Sequence, residues 1–312
     1  MTSTAKTAII TGGANGIGLA VAQALATRGE WEIHLIDLNA AAGNAAASSL
    51  GATFHEVDVT AYQSLGSVFK AVFQKSRRLD FVFANAGIAQ IGNFYERHDE
   101  IGDEVPPPPN MLVVKICLEA VVTTAHLALY YFRLTPEGVD KSLIMTASCG
   151  GIYPSYYAST YTAAKHGVVG LTRAISRQLY VSEGIRVNAI CPGIIKTGLM
   201  GTEEWSIYPD EMFTTVEKVA QRVLMLIDGE DNVTAEKTRI DREVPEKKGV
   251  LWGEVVEISG NNHYYREMPK YCDELMERVI EGTYIAELPG TENSREFRKI
   301  SGQMKDLVDA VD

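Results

Sequence analysis

Much of what would assign a 312-residue chain to a familiar class is missing from this one. Its four cysteines, Cys117, Cys149, Cys191 and Cys272, form no C-x-x-C pair. That argues against a disulfide framework or a zinc site and predicts reduced thiols in a cytoplasmic protein. The six histidines are scattered, so metal ligation finds no pattern. Basic residues form no stripe and the formal net charge is −11, which removes nucleic acid and anionic membrane from the expected partners. The first ten residues lack a signal-peptide core. No stretch is expected to reach the length of a membrane span, and there is no internal repeat. With 46% hydrophobic and 22% charged residues, the composition is that of a globular protein able to bury a core.

What is present is alternation of strand and helix patterns. Thr7–Thr11 is a short apolar, β-branched run that leads into TGGANGIG, with glycines at 12, 16 and 18. A strand turning into a helix through glycines lets the backbone approach a phosphate, and the helix start offers free N–H groups. Gly12, Asn15, Gly16, Ile17 and Gly18 are the candidate cradle. A second strand, Glu32–Leu38, carries Asp37 near its end, 19 residues beyond Gly18. That is the place where a dinucleotide site puts an acid against ribose hydroxyls. A carboxylate there repels the 2′-phosphate of NADP, so NAD is the expected cofactor. A helix over Ala40–Leu50 follows, then a strand Thr53–Val57 closed by Asp58 and Val59, a helix Ala61–Lys75, and a strand Asp80–Ala84 running into Asn85-Ala86-Gly87. Such alternation predicts an α/β Rossmann-type doubly wound parallel sheet of about seven strands, with helices on both faces. Gly12, Asp37, Asp58 and Asn85 all fall at its carboxyl ends, where ligands lie.

Pro106–Pro109 predict an extended loop entering a long, weakly charged helix, Met111–Phe132. Further strands are expected at Leu143–Met145, Ile185–Ile190 and Val250–Ile258, and a helix at Thr215–Ile227. Residues 1–265 read as one dinucleotide-binding catalytic domain with a charged insertion near 228–248. Residues 266–312 read as a helical extension (Lys270–Glu281) and a polar tail. The sixth strand runs into Cys191-Pro192-Gly193-Ile194-Ile195-Lys196-Thr197, where Pro192 and Gly193 turn the chain beside the expected ring of a cofactor.

The chemistry is expected in LIMTASCGGIYPSYYASTYTAAK, residues 143–165. Tyr161 and Lys165 are four apart and share a helix face. A cation beside a phenol favours the phenolate. Ser148, thirteen residues before Tyr161, can hold a substrate oxygen against the phenol. Ile152, Tyr153, Tyr156, Tyr157, Met200 and Trp205 are candidates to line a pocket for a bulky apolar or aromatic molecule, or to pack the loop.

Together Thr11-Gly12-x-x-x-Gly16-x-Gly18, Asp58, Asn85-Ala86-Gly87, Ser148, Tyr161-x-x-x-Lys165 and Pro192-Gly193 resemble the short-chain dehydrogenase/reductase family over about residues 5 to 260. Asp37 and LWGEVVEISG suggest its NAD-dependent 15-hydroxyprostaglandin dehydrogenase-like branch. The resemblance implies that Tyr161 is the acid/base, that Ser148 polarises the same oxygen, and that Lys165 bonds the nicotinamide ribose. It also implies that Thr197 contacts the carboxamide and Asp58-Val59 the adenine. In one place the chain departs from the family. An asparagine is usual in the helix after the fourth strand, and ungapped alignment puts Cys117 there; a slip of two would put Lys115 there instead. The expected activity is NAD(H)-dependent interconversion of a secondary alcohol and a ketone on a lipophilic or aromatic small molecule. Alternatives are an isomerase or cyclase that holds the cofactor without net redox, and a non-catalytic sensor binding a partner through the charged insertion. A homodimer or homotetramer paired through Met111–Phe132 and Tyr157–Val181 is the expected assembly.

Overall fold

Successive residues of each apolar run face opposite ways, and this decides the layers. Ile9, Val82, Leu143 and Val187 enter one core, while Ala8, Ile10, Phe81, Phe83, Ile144 and Ile190 enter the other. Both faces of the sheet are therefore apolar and both must be covered. The computed structural model describes residues 5–97, 105–198, 205–206, 208–233 and 249–283. Its strands are β1 (Lys6–Thr11), β2 (Trp31–Asp37), β3 (Thr53–Glu56), β4 (Phe81–Ala84), β5 (Lys141–Thr146), β6 (Ile185–Pro192), β7 (Val255–Ser259) and β8 (Asn262–Tyr265). They form one sheet in the order β3-β2-β1-β4-β5-β6-β7-β8. All neighbours are parallel except β7 and β8. The helices are α1 (Gly16–Arg28), α2 (Ala40–Leu50), α3 (Tyr62–Ser76), α4 (Leu112–Leu134), α5 (Ser159–Glu183), α6 (Val216–Asp228) and α7 (Glu274–Glu281). One core packs α3, α4 and α5 on the sheet, and the other packs α1, α2 and α6. Strand order reverses between β1 and β4, so a crevice opens outside their carboxyl ends.

Four expectations need correction. The sheet has eight strands rather than about seven. Gly260-Asn261 closes a two-residue hairpin, and the polar segment after it pairs antiparallel with β7, from Val256 with Tyr265 to Ser259 with Asn262. The last parallel strand begins at Val255 rather than at 250. Before it the chain bends at Gly253, whose N–H donates to Val187 O at 2.8 Å. α7 starts four residues later than expected because Asp273 caps it, its carboxylate accepting from Met276 N at 2.8 Å. Finally, one stretch does reach membrane-span length. α4 has 23 residues and mean hydropathy 1.8, and packing explains part of its apolarity, since Val113, Ala120, Val121, Ala125, Leu127, Ala128 and Phe132 are buried in the fold while Leu112, Val122, Tyr130 and Leu134 are exposed. Of the charged insertion, residues 234–248 lie outside the described residues, as do the tail from 284 and Met200.

α4 is not uniform. A π-helical turn over Lys115–Glu119 interrupts it, inserting one residue's worth of rotation. The turn leaves Lys115 exposed and Cys117 fully buried. Its thiol donates to Ile88 O and accepts from Ile88 N, both at 3.4 Å, and so pins the chain leaving β4 to α4.

Candidate active site

A cavity of about 440 Å³ runs along the carboxyl ends of β1, β2, β4, β5 and β6. Its outer part is built from strand ends. Asn85, just beyond β4, donates through Nδ2 to the carbonyls of Thr11 and Gly12 (3.2 Å each) and accepts from Thr146 Oγ1 at 3.0 Å. One amide thus ties β1, β4 and β5 together. Thr11 Oγ1 completes the knot by accepting from the N–H groups of Asn85 and Ala86. Asp37 is held by two backbone amides, Ala14 N to Oδ2 and Asn39 N to Oδ1, both 3.0 Å. Asp58 is held by the N–H and hydroxyl of Thr60, both 2.8 Å.

The start of α1 has the features of an anion site. Asn15 gives no side-chain cap and the first turn has no acidic residue, so its N–H groups face the cavity without a competing carboxylate. The residues present fit a dinucleotide: a polar helix start for the pyrophosphate, and a carboxylate at Asp37 for a ribose. Gly12, Asn15, Gly16 and Ile17 line the cavity there, with Asp37, Asp58 and Val59 beyond. Gly18 does not line it and is a packing glycine. A Cβ at Gly18 would sit 2.1 Å from Gly12 O, so its lack of a side chain is what lets α1 approach the turn.

The inner part holds the reactive groups. Lys165 is 2% exposed, and one of its three N–H donors goes to Thr146 O at 2.8 Å. Its Nζ lies 5.5 Å from the centroid of the Tyr161 ring. Ser148 ends the segment after β5 and caps a 3₁₀ turn, Cys149–Gly151, its Oγ accepting from Gly150 N at 3.1 Å. Gly150 lies between Ser148 and Tyr161, since a Cβ there would sit 3.6 Å from Ser148 Oγ and 3.5 Å from Tyr161 Cε1. The turn packs onto α5 because Gly151 has no side chain, since a Cβ there would meet Lys165 O at 2.7 Å. Asn85, Ala86, Gly87, Pro192, Gly193, Ile195 and Thr197 line the space between the two parts. The expected residues other than Gly18 therefore share one cavity. Beneath Ser148, burial pushes the Cys191 thiol up to about 12, which keeps it protonated and inert.

Of the aromatic candidates, Tyr157 and Trp205 line the cavity. Tyr153 does not; its hydroxyl donates to Glu257 at 3.2 Å and accepts from Arg266 at 2.7 Å. Tyr156 is 80% exposed, and Ile152 packs on the core. Sequence reasoning missed Tyr208, whose hydroxyl is 3.5 Å from that of Tyr157. Their shared hydrogen bond, with burial, pushes the Tyr157 phenol up to about 12, so it stays neutral. It also missed Gln90, which belongs to no motif visible along the chain, and within 143–165 it did not single out Thr146, Cys149 and Ser155; all four line the same cavity.

Geometry of this kind defines a class, the dinucleotide-binding α/β proteins whose ligand lies across the carboxyl ends of a parallel sheet. A family model described as short chain dehydrogenase matches residues 6–206, and the chain belongs to that family of oxidoreductases. It is 44% identical over 275 residues to the short-chain dehydrogenase/reductase prx7 of Penicillium rubens, covering 86% of this chain and 96% of the relative. It is 31% identical over 208 residues to human 15-hydroxyprostaglandin dehydrogenase [NAD(+)], covering 64% of this chain and 71% of the relative. Among solved structures, levodione reductase superposes with a TM-score of 0.64 at 25% identity, covering 83% of this chain and 98% of that one.

Proposed function

We propose that the protein interconverts a secondary alcohol and a ketone on a lipophilic or aromatic small molecule, with NAD(H) as cofactor. The observation that carries the reading is the meeting of Ser148, Tyr161 and Lys165 at the inner end of a groove whose outer end carries Asp37. In the oxidising direction Tyr161 takes the hydroxyl proton of the substrate, and in the reducing direction it gives one to the carbonyl. Ser148 donates to or accepts from the same oxygen and fixes its distance from the phenol. The buried Lys165 ammonium holds a cofactor ribose and keeps positive charge beside the phenol, where it favours a developing phenolate. When bound, the nicotinamide supplies the hydride acceptor or donor, and the chain supplies position and proton transfer.

NAD is preferred on electrostatic grounds. Among the described residues lining the cavity, Lys165 is the one cation, and it lies at the inner end. A 2′-phosphate beside Asp37 would meet a like charge at ~4 Å, a repulsion of about 1 kcal/mol in water and about 4 at an effective dielectric near 20; Asp37 is partly exposed, which sets the value toward the lower end. The relative whose printed name includes NAD(+) supports the same choice. An aromatic or lipophilic substrate is supported by Tyr157, Trp205 and Tyr208 around the mouth. A homodimer or homotetramer through α4 and α5 is supported by Val122, Tyr130, Leu134 and Val181, which are 40%, 56%, 52% and 60% exposed. A monomer at micromolar concentration by analytical ultracentrifugation would count against that assembly.

The test is steady-state NADH formation from NAD with lipophilic secondary alcohols such as cyclohexanol and benzhydrol. The wild type turns over with NAD in preference to NADP. No NADH from any such alcohol, and no consumption of NADH with the matching ketones, would contradict the proposal.

A further inference from the structure

α5 begins without a cap of its own. Ala158 at its N-cap has no side chain able to accept, and the first turn has no acidic residue. A helix start leaves backbone N–H groups unpaired, and here the third helical residue is Tyr161 itself. The missing acceptor comes from elsewhere in the chain. Gln90 Oε1 accepts from Tyr161 N at 3.0 Å, across 71 residues, and from Thr160 Oγ1 at 2.8 Å. The other end of the same amide is also used, since Nε2 donates to Ile91 O at 3.1 Å and Gly92 O at 3.4 Å. Tyr161 N can only donate and the carbonyls of Ile91 and Gly92 can only accept, so turning the amide over would break those three contacts, while the Thr160 hydroxyl could serve either end. Gln90 follows Ile88, which Cys117 pins to α4, and it borders the cavity with Ser148 and Tyr161.

The geometry points to Gln90 as a positioning residue that caps the catalytic helix from the loop after β4 and thereby sets where the Tyr161 phenol stands relative to Ser148. This deepens the oxidoreductase reading and rests on it. The side chain touches the backbone of Tyr161, not its ring, so it acts on the reaction through the helix. A misplacement of the reacting group near 1 Å can cost about a hundredfold in rate, so a cap that holds a helix start in place has leverage on kcat while leaving the distant Asp37 end alone.

Three variants test this with NAD and benzhydrol as the probe pair. Gln90→Met keeps the length and removes every polar contact; kcat falls at least about tenfold, while KM for the alcohol and the NADH dissociation constant stay within about twofold. Gln90→Glu restores the acceptor toward Tyr161 N and recovers kcat to within about threefold of wild type. Gln90→Asn is too short to reach Tyr161 N from the same backbone and resembles Gln90→Met. Hydrogen exchange reads the cap without turnover. Amides 159–162 exchange roughly tenfold faster in Gln90→Met than in wild type or Gln90→Glu. Wild-type kcat in Gln90→Met, or equal loss of kcat and cofactor affinity, or Gln90→Glu no better than Gln90→Met, would overturn the proposal. A wild type silent with alcohols and ketones alike would instead contradict the oxidoreductase reading, and the catalytic role of Gln90 with it; the exchange result would still report the cap separately.

Discussion

The two ends of the groove are held in different ways. At the outer end Asp37 is fixed by Ala14 N and Asn39 N, and Asn85 knots β1, β4 and β5. Each of these groups stands on or next to the end of a central strand. At the inner end the reactive groups depend on segments that meet only in the folded chain. Gln90 caps Tyr161, Tyr157 faces Tyr208, and Trp205 Nε1 donates to Thr197 O at 3.2 Å. The sheet thus fixes one half of the site directly and the other through bonds between loops. Cofactor binding and hydride transfer should therefore be separable by mutation.

The largest separation should come from the two packing glycines. Gly18→Ala forces a Cβ against Gly12 O and should weaken NADH binding by about a hundredfold or more, with a matching loss of thermal stability, as measured by fluorescence titration and calorimetry. Gly151→Ala drives a Cβ into Lys165 O instead. It should lower kcat by at least about tenfold while NADH binding changes little, because only the Ser148 turn is lifted from α5. If both variants lost binding and turnover together, the two halves would be one unit. A smaller effect is expected at Asp37. Asp37→Ala should narrow the preference for NADH over NADPH by roughly tenfold, corresponding to about 1.4 kcal/mol of relieved repulsion. An unchanged ratio would remove the electrostatic account.

A separate effect, on stability rather than on binding or rate, concerns acid. His34 on β2 and His55 on β3 lie ring to ring, Nδ1 to Nε2 at 3.1 Å. Burial, followed by the neighbouring His55, holds His34 down at about 4, and burial also lowers His55. A histidine whose folded pKa is lowered binds its proton more readily when unfolded. Its contribution is complete above the unfolded value near ~6.5 and is lost as pH falls toward ~4. On the order of 3 kcal/mol should disappear over that window, and His34→Gln should flatten the dependence. By hydrogen exchange, the β2–β3 edge beside Asp37 should open before the Ser148 turn does.

The same contrast explains what could be read along the chain. The glycine turn, Asp37, Asp58 and the Tyr161–Lys165 pair were legible because each is defined by short spacing on one strand or helix. The π-turn that buries Cys117 against Ile88 has no sequence mark. The β7–β8 hairpin carried a signal, Gly-Asn between two pairing segments, but NHYY is too polar to read as a strand by hydrophobicity. Gln90 left no signal. Its partners lie about 70 residues away, and a glutamine in a loop is ordinarily a solvated side chain. Tyr153 and Tyr156 shared the composition of Tyr157 and not its place, because only folding decides which tyrosine of a cluster meets the cavity.

The central claim is that the Tyr161 phenol moves the proton while the rest of the groove holds the cofactor. Single-turnover mixing of Tyr161→Phe with NAD and alcohol, alongside an NADH titration of the same variant, tests it most directly. The account predicts a hydride-transfer rate lower by about 10²–10⁴ with an NADH dissociation constant close to wild type. Hydride transfer at the wild-type rate in that variant would contradict it.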